Sequence, residues 1–181
     1  MNTFIKYFFF YFLLAISSSS LADDLIAKEK KIKSAIVLNF IRYTEWPSNA
    51  FPSKTSEIHL CLYTNRAMEE AFSKLARGKL KDRNIKIRLL YRLNDLNECH
   101  VLYADRFTRK QALRAFSTIR TKPILTITEQ ATQDNMAGII NLLNKKGKLR
   151  FEIFINKAET AGLKISSRLL ELSINNKNND D

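Results

Sequence analysis

Glycine, histidine and cysteine are scarce in this chain, and their scarcity argues against several kinds of catalytic site. The 181 residues include four glycines, two histidines and two cysteines. The chain contains no Gly-rich phosphate loop, no Gly-x-Ser-x-Gly elbow and no His-Glu-x-x-His pair. We therefore expect a protein that is not an enzyme and that uses no cofactor or metal.

Acidic residues are in the minority. Lys and Arg number 30 and Asp and Glu 18, which gives a formal net charge of +12. Such a charge would suit nucleic acid or anionic lipid. The basic clusters at 28–33, 79–92 and 145–150 are, however, mixed with carboxylates or turn residues, and no nucleic-acid-binding motif accompanies them. We interpret them as solvated faces and expect no nucleic-acid partner.

Long hydrophobic runs are also lacking, except for one at the N-terminus. Lys6 precedes the apolar run Tyr7 to Ile16, and Ser20-Leu21-Ala22 fits a small-x-small cleavage site. A membrane anchor is the alternative, but this apolar run is short for roughly 30 Å of hydrocarbon. The pattern predicts a signal peptide at 1–22, cleaved after Ala22, and a periplasmic protein. We expect a single domain at 23–174 and a disordered, Asn-rich tail at 175–181.

Strand and helix patterns alternate along the mature chain. The Asn144-Lys145-Lys146-Gly147 turn predicts a hairpin near the C-terminus, while Asn65 and Asn156 are placed to cap helices. Predicted strands occupy 57–63, 85–91, 100–104, 123–127, 138–143 and 148–155, and helices 66–76, 108–119, 156–161 and 166–172. We therefore predict an α/β fold: a mixed, mainly parallel sheet flanked by helices on both faces, with a C-terminal antiparallel hairpin.

The most informative stretch is the first helix and its end. Apolar residues at Ile32, Ile36, Phe40 and Tyr43 lie on one helical face, and Pro47 predicts that the helix ends near Thr44. An amphipathic core helix explains these positions. It does not explain the specific sequence motif, Asn39-Phe40 followed by Thr44-Glu45-Trp46-Pro47.

That motif resembles the signature of the YfiR family, which comprises small exported proteins whose N-terminal helix ends in Phe/Tyr-Thr-Glu-Trp-Pro. A second block resembles the family's closing strand, turn and helix; it comprises Arg150-Phe151-Glu152-Ile153, Asn156 and the run Ala161 to Leu170. The resemblance implies a periplasmic regulator that binds and represses the sensor domain of an inner-membrane signalling protein. In the best-known case that protein is a diguanylate cyclase, which implies cyclic-di-GMP control.

The resemblance also implies further partners. A histidine kinase is a second candidate for the membrane partner, an outer-membrane lipoprotein could compete for the regulator, and family members form homodimers.

Trp46 is interpreted as a half-buried anchor, although its amphipathic indole would also suit a protein interface.

Arg150, Glu152 and Arg168 are the charged candidates of the second block. Arg150 and Glu152 share one face of a strand, whereas Arg168 lies on the helix that follows, with Ser166 and Ser167 as possible caps. One reading is a salt bridge that ties the last helix to the sheet. The other is a site for a small acidic or zwitterionic ligand, since Arg offers a bidentate fork to a carboxylate. A periplasmic small-molecule-binding protein is therefore the alternative function.

Cys61 and Cys99 are the only cysteines. An even count in an oxidising compartment favours one disulfide, and the family resemblance supports this pairing. Two alternatives use the histidines: a His59–Cys61 nucleophilic pair, and a zinc set of both cysteines with His59 and His100. The disulfide would remove the thiolate, and adjacent Cys99 and His100 would point apart on an extended chain, so we rank both alternatives low.

Overall fold

The structure, a computed structural model, describes residues 18–93 and 95–175, with side chains from residue 23 onwards. The predicted signal-peptide features at Lys6 and Tyr7 to Ile16 lie outside the described residues, and so do positions 176–181 of the predicted tail. Asn175 is described, and its side-chain amide pairs with both backbone groups of Ile153. In the described part of the chain, no helix is both long enough and apolar enough to cross a membrane.

The helices in the described ranges are α1 (Ser18–Arg42), α2 (Arg66–Leu75), α3 (Arg109–Ile119), α4 (Ile155–Thr160) and α5 (Ser167–Leu170), with a short 3₁₀ turn at Ser48–Ala50. The strands are β1 (Thr44–Glu45), β2 (Ile58–Tyr63), β3 (Lys79–Leu80), β4 (Arg83–Leu89), β5 (Val101–Ala104), β6 (Leu125–Glu129), β7 (Ile140–Lys145), β8 (Lys148–Ile153) and β9 (Lys164–Ile165).

Seven of these strands form one sheet in the order β3-β4-β2-β5-β6-β7-β8, and β1 and β9 form a separate pair. The five central strands are parallel to one another, and β3 and β8 add antiparallel pairs at the two edges. The chain reverses its direction of winding between β2 and β5, which is the doubly wound arrangement. The predicted mixed, mainly parallel sheet is confirmed.

Helices cover both faces of the sheet, as predicted. Alternate residues of β2 point to opposite sides, so Leu60 joins α1 and α2 in one core cluster, and Cys61 joins α3 and the segment 90–99 in the other. Phe40 and Ile41 anchor α1 in the larger cluster, which also takes in Leu169 of α5.

Local chemistry explains the start of α2 and the turn of the C-terminal hairpin. The side chain of Asn65 accepts a hydrogen bond from the Met68 backbone and caps α2, as predicted. The C-terminal hairpin is confirmed as well. Its turn is the pair Lys146-Gly147, both with positive φ (53° and 74°), so Asn144 and Lys145 belong to the strand.

The start of α4 differs from the prediction. Phe154, and not Asn156, occupies the N-cap position, and no side chain caps the helix. The backbone N–H of Phe154 still donates to Ile139 O at 2.8 Å, so the chain passes directly from the sheet into the helix. The prediction that Asn156 caps this helix was wrong.

Candidate functional site

The structure brings together the two sequence blocks, which lie more than 100 residues apart in the chain. Strand β1 pairs antiparallel with β9, with Thr44 opposite Ile165 and Glu45 opposite Lys164. The backbone N–H of Ser166 extends this contact by donating to Tyr43 O at 2.9 Å. The end of the first helix and the start of the last one therefore form one continuous structure.

Phe40 and Thr44 support the β1–β9 pair from its buried side. Phe40 is 1% exposed and packs edge-to-face on Phe151, with ring centroids 4.9 Å apart. The hydroxyl of Thr44, which is fully buried, donates to Phe40 O at 2.8 Å and so satisfies a carbonyl at the end of α1. Both residues are positioned to pack the core, and neither is accessible to a partner.

Trp46 and Pro47 fix the chain where it leaves β1. The indole Nε1 of half-buried Trp46 donates to Pro123 O at 3.1 Å, and its ring lies edge-on to Phe51 at 6.0 Å. Pro47 lies beside Gly162, where an added Cβ would meet its ring at 3.8 Å. Gly162 has a φ of +70°, which a residue with a side chain adopts at a cost. Trp46 is thus an anchor with its polar atom already occupied.

The remaining predicted residues are accessible to different degrees. Glu152 and Ser166 are half-buried, and Ser166 holds the N-cap position of α5 without a side-chain cap bond. We call the exposed residues around the β1–β9 pair the paired-motif surface; its members are Asn39, Glu45, Lys164, Ser167 and Arg168.

The salt bridge expected between the last helix and the sheet is not formed. Across residues 23–93 and 95–175, no ion pair links Arg150, Glu152 and Arg168. Glu152 lies opposite Asn141 on β7, on the face of β8 away from Phe151. Helix α5 is tied down instead by buried Leu169 and by the segment after it, where Ile174 N–H donates to Phe151 O at 3.0 Å.

Lys81 is a residue of this region that sequence reasoning missed. Its ammonium donates to Thr44 O at 2.6 Å, on the backbone of β1. Burial lowers the pKa of Lys81, and the nearby carboxylate of Glu45 partly offsets that effect. Lys81 lies in the turn between β3 and β4 with a φ of 52°, and nothing in its local sequence indicates a contact with Thr44.

The cysteines form the predicted disulfide. Cys61 and Cys99 are bonded with their Cα atoms 5.7 Å apart, so neither sulfur is available as a nucleophile or a metal ligand. No cluster of three His, Cys, Asp or Glu side chains suited to a metal occurs among the residues that the structure describes. The nucleophilic-pair and zinc hypotheses are therefore not supported.

The His100 ring instead holds the loop that precedes β2, while the His59 ring contacts Glu98 O at 3.0 Å. His59 backbone N–H donates to His100 Nδ1 at 3.0 Å, which leaves Nε2 as the protonated nitrogen facing Ala50 O at 3.2 Å. The His100 ring stacks on Phe51, with centroids 4.4 Å apart. Burial lowers the pKa of His100, in line with a neutral ring in this position.

A model of the family described as YfiR/HmsC-like, DUF4154, matches residues 30–174, which include both sequence blocks and both cysteines. The chain belongs to the YfiR/HmsC-like family. No curated protein matches it. This is a family of periplasmic regulators that act with signalling proteins, which supports a protein partner in general. The matched region covers every element from the middle of α1 to the segment after α5.

Proposed function

We propose that this YfiR/HmsC-like protein is a periplasmic regulator that binds the sensor domain of an inner-membrane diguanylate cyclase and represses it. The mature protein would begin at Asp23, after cleavage behind Ala22. The observation that carries the proposal is the β1–β9 pair, which brings together the two sequence blocks that resemble the family and leaves Glu45 and Lys164 exposed. Repression would follow if the regulator bound the inactive state of the sensor more tightly than the active one.

The paired-motif surface supports a role in protein binding because it exposes charged side chains that form no ion pair among the described residues. Glu45 and Arg168 are both exposed and form no ion pair with another side chain in the described ranges. Two large apolar side chains are also exposed in the C-terminal part of the domain, Ile155 at 43% and Leu172 at 63%. Protein interfaces combine an apolar centre with a polar rim, and this protein exposes side chains of both kinds.

Site-specific cross-linking tests the proposal. A photo-reactive amino acid replaces Glu45 or Arg168 in the tagged protein, expressed in its own envelope, and exposed Lys86 of β4 is the matched control position. We expect Glu45 and Arg168, but not Lys86, to capture a membrane protein with a periplasmic sensor and a cyclase domain. A sensor with a histidine-kinase domain, or an outer-membrane lipoprotein, would change the identity of the partner. Capture of no second protein would overturn the proposal.

The sign of regulation needs a separate measurement. We expect Arg168→Glu to raise cellular cyclic-di-GMP, because a repressor that releases its sensor frees the cyclase, while Lys86→Glu leaves the level unchanged. A fall in cyclic-di-GMP with Arg168→Glu would make the protein an activator.

A small-molecule-binding function is the second candidate. It is favoured by the exposed guanidinium groups of Arg150 and Arg168, which have no carboxylate partner in the described part of the chain. Homodimer formation likewise stays a prediction from the family, and light scattering of the mature protein would measure it. Recovery of only its own chain in the cross-linking experiment would favour a ligand-binding homodimer.

A further inference from the structure

A cleft of about 280 Å³ lies on the α3 side of the sheet, and no residue of the paired-motif surface lines it. Its walls are the C-terminal half of α3, the segment before β7 and one side of α4. Small-molecule sites in proteins are typically concave and of about 300–1,000 Å³, so this cleft lies just under the size of a site for a drug-like ligand.

The interior of the cleft is mainly apolar. Phe116 of α3, Ile124 before β6 and Ile139 before β7 contribute to its lining, and Leu113 stands at its margin with 38% of its surface exposed. The hydroxyl of Thr126, at the base, already accepts a hydrogen bond from Ile139 N–H at 2.8 Å. A ligand would therefore meet hydrocarbon over most of this surface.

The only charged residues that line the cleft are two cations, Arg120 and Lys157. The Lys157 ammonium donates to two backbone carbonyls, Asp134 O at 2.5 Å and Ala137 O at 2.7 Å, and lies 4.3 Å from the centroid of the Phe154 ring. One of its three N–H groups therefore has no hydrogen-bond acceptor among the described residues. Burial lowers the pKa of Lys157, and Asp134 partly offsets that effect. Arg120 is exposed at the end of α3 and makes no ion pair with any residue that the structure describes.

An apolar cleft with two cations and no carboxylate in its lining selects the chemistry of its ligand. We propose that it binds a small amphipathic carboxylate, such as a medium-chain fatty acid or an arylalkanoic acid. The apolar body would lie against Phe116 and Ile139, and the carboxylate would face Lys157 and Arg120. The inference does not depend on the regulator function, because the cleft and the paired-motif surface share no residue.

Octanoate is the first probe, titrated into the mature, disulfide-bonded protein and followed by backbone amide NMR shifts. We expect saturable binding with shifts concentrated in α3 and residues 135–139. Octanamide should bind more weakly and octylamine most weakly, because the cations favour an anion. Affinity should rise about two- to fourfold for each methylene from hexanoate to octanoate. Equal binding of octylamine, or shifts confined to another surface, would overturn the proposal.

Two variants with matched controls locate the site. Ser117→Phe places an aromatic ring into the cleft from exposed α3 and should abolish octanoate binding, whereas Ser73→Phe on exposed α2 should not. Arg120→Gln removes one cation and should weaken binding about three- to fivefold. Arg109→Gln, at the other end of α3, removes the same charge and should have little effect. Unchanged binding in Arg120→Gln and in folded Ser117→Phe would refute the assignment.

Discussion

The ion pair between Lys33 and Glu129 offers a sharp test of how α1 is held on the sheet. The Lys33 ammonium lies 2.5 Å from Glu129 Oε2 and 2.8 Å from Glu29 Oε1. The side chains of Lys33 and Glu129 are only 18% and 10% exposed, and Glu129 also accepts a hydrogen bond from the phenol of fully buried Tyr103. Burial opposes the charge on Lys33, but the hydrogen bonds from Lys33 to Glu129 and Glu29 outweigh it and raise the pKa of Lys33.

Replacing Lys33 by Met keeps most of the volume of the side chain and removes its charge. The carboxylate of Glu129 then stays nearly buried with the Tyr103 phenol as its remaining partner among the described contacts. Loss of one partner from a buried pair costs about 3–5 kcal/mol. Because both side chains keep some contact with water, we expect Lys33→Met to lower the free energy of unfolding by about 2–3 kcal/mol.

The double variant separates the ion pair from simple packing. In Lys33→Met/Glu129→Gln no buried charge is left, and the amide oxygen can still accept from Tyr103, so the loss should shrink to about 1 kcal/mol. Exposed Lys31→Met, on the same helix, should stay within about 0.5 kcal/mol of the wild type. Urea unfolding of the mature, disulfide-bonded protein measures the wild type and these three variants. A double variant no more stable than Lys33→Met alone would refute the reasoning.

Three further predictions concern the histidine, the disulfide and the N-terminus. Burial lowers the pKa of His100 in the folded protein, so the stability that His100 contributes is fully present above the unfolded pKa near 6.5 and is lost as pH falls through the folded pKa. Urea midpoints should therefore decrease from pH 8 to pH 4, and His100→Gln should flatten this dependence. Reduction of the Cys61–Cys99 bond, which spans 38 residues, should cost roughly 3–4 kcal/mol in the same assay, and an unchanged midpoint would contradict this. Mass spectrometry of the exported protein should find Asp23 as its first residue, and a chain that retains Met1 would rule out cleavage after Ala22.

Most of the central sheet could be predicted because each element carries its own signal. Ile85, Ile87 and Leu89 alternate with polar residues and predict β4, and Asn65 marks the start of α2. The hairpin follows from a Gly-containing turn between two apolar runs. These signals are local, and they agree with the tertiary structure.

The long-range contacts of the structure, including those of the candidate site, have no local signal. Strands β1 and β9 are two residues long, too short to show a period of two, and their pairing joins distant parts of the chain. The Lys33–Glu129 pair spans 96 positions. Thr126, Thr128 and Asn141 alternate with apolar residues, a pattern typical of a wet face, yet all three are buried. They are buried because the segment 131–139 crosses them, with Asn141 bonded to both backbone groups of Ala131.

The residues of the family motif at the end of α1 have two different roles in the structure. Phe40, Thr44 and Trp46 each have an internal contact that a different side chain would lose: an aromatic pair, a capped carbonyl and an indole hydrogen bond. Glu45 has none of these and faces solvent opposite Lys164. The buried members hold β1 against β9, and that pairing fixes where the exposed carboxylate stands. A partner that recognises this surface would therefore contact Glu45 and exposed Asn39 directly, whereas Phe40, Thr44 and Trp46 would act only through the backbone that they position.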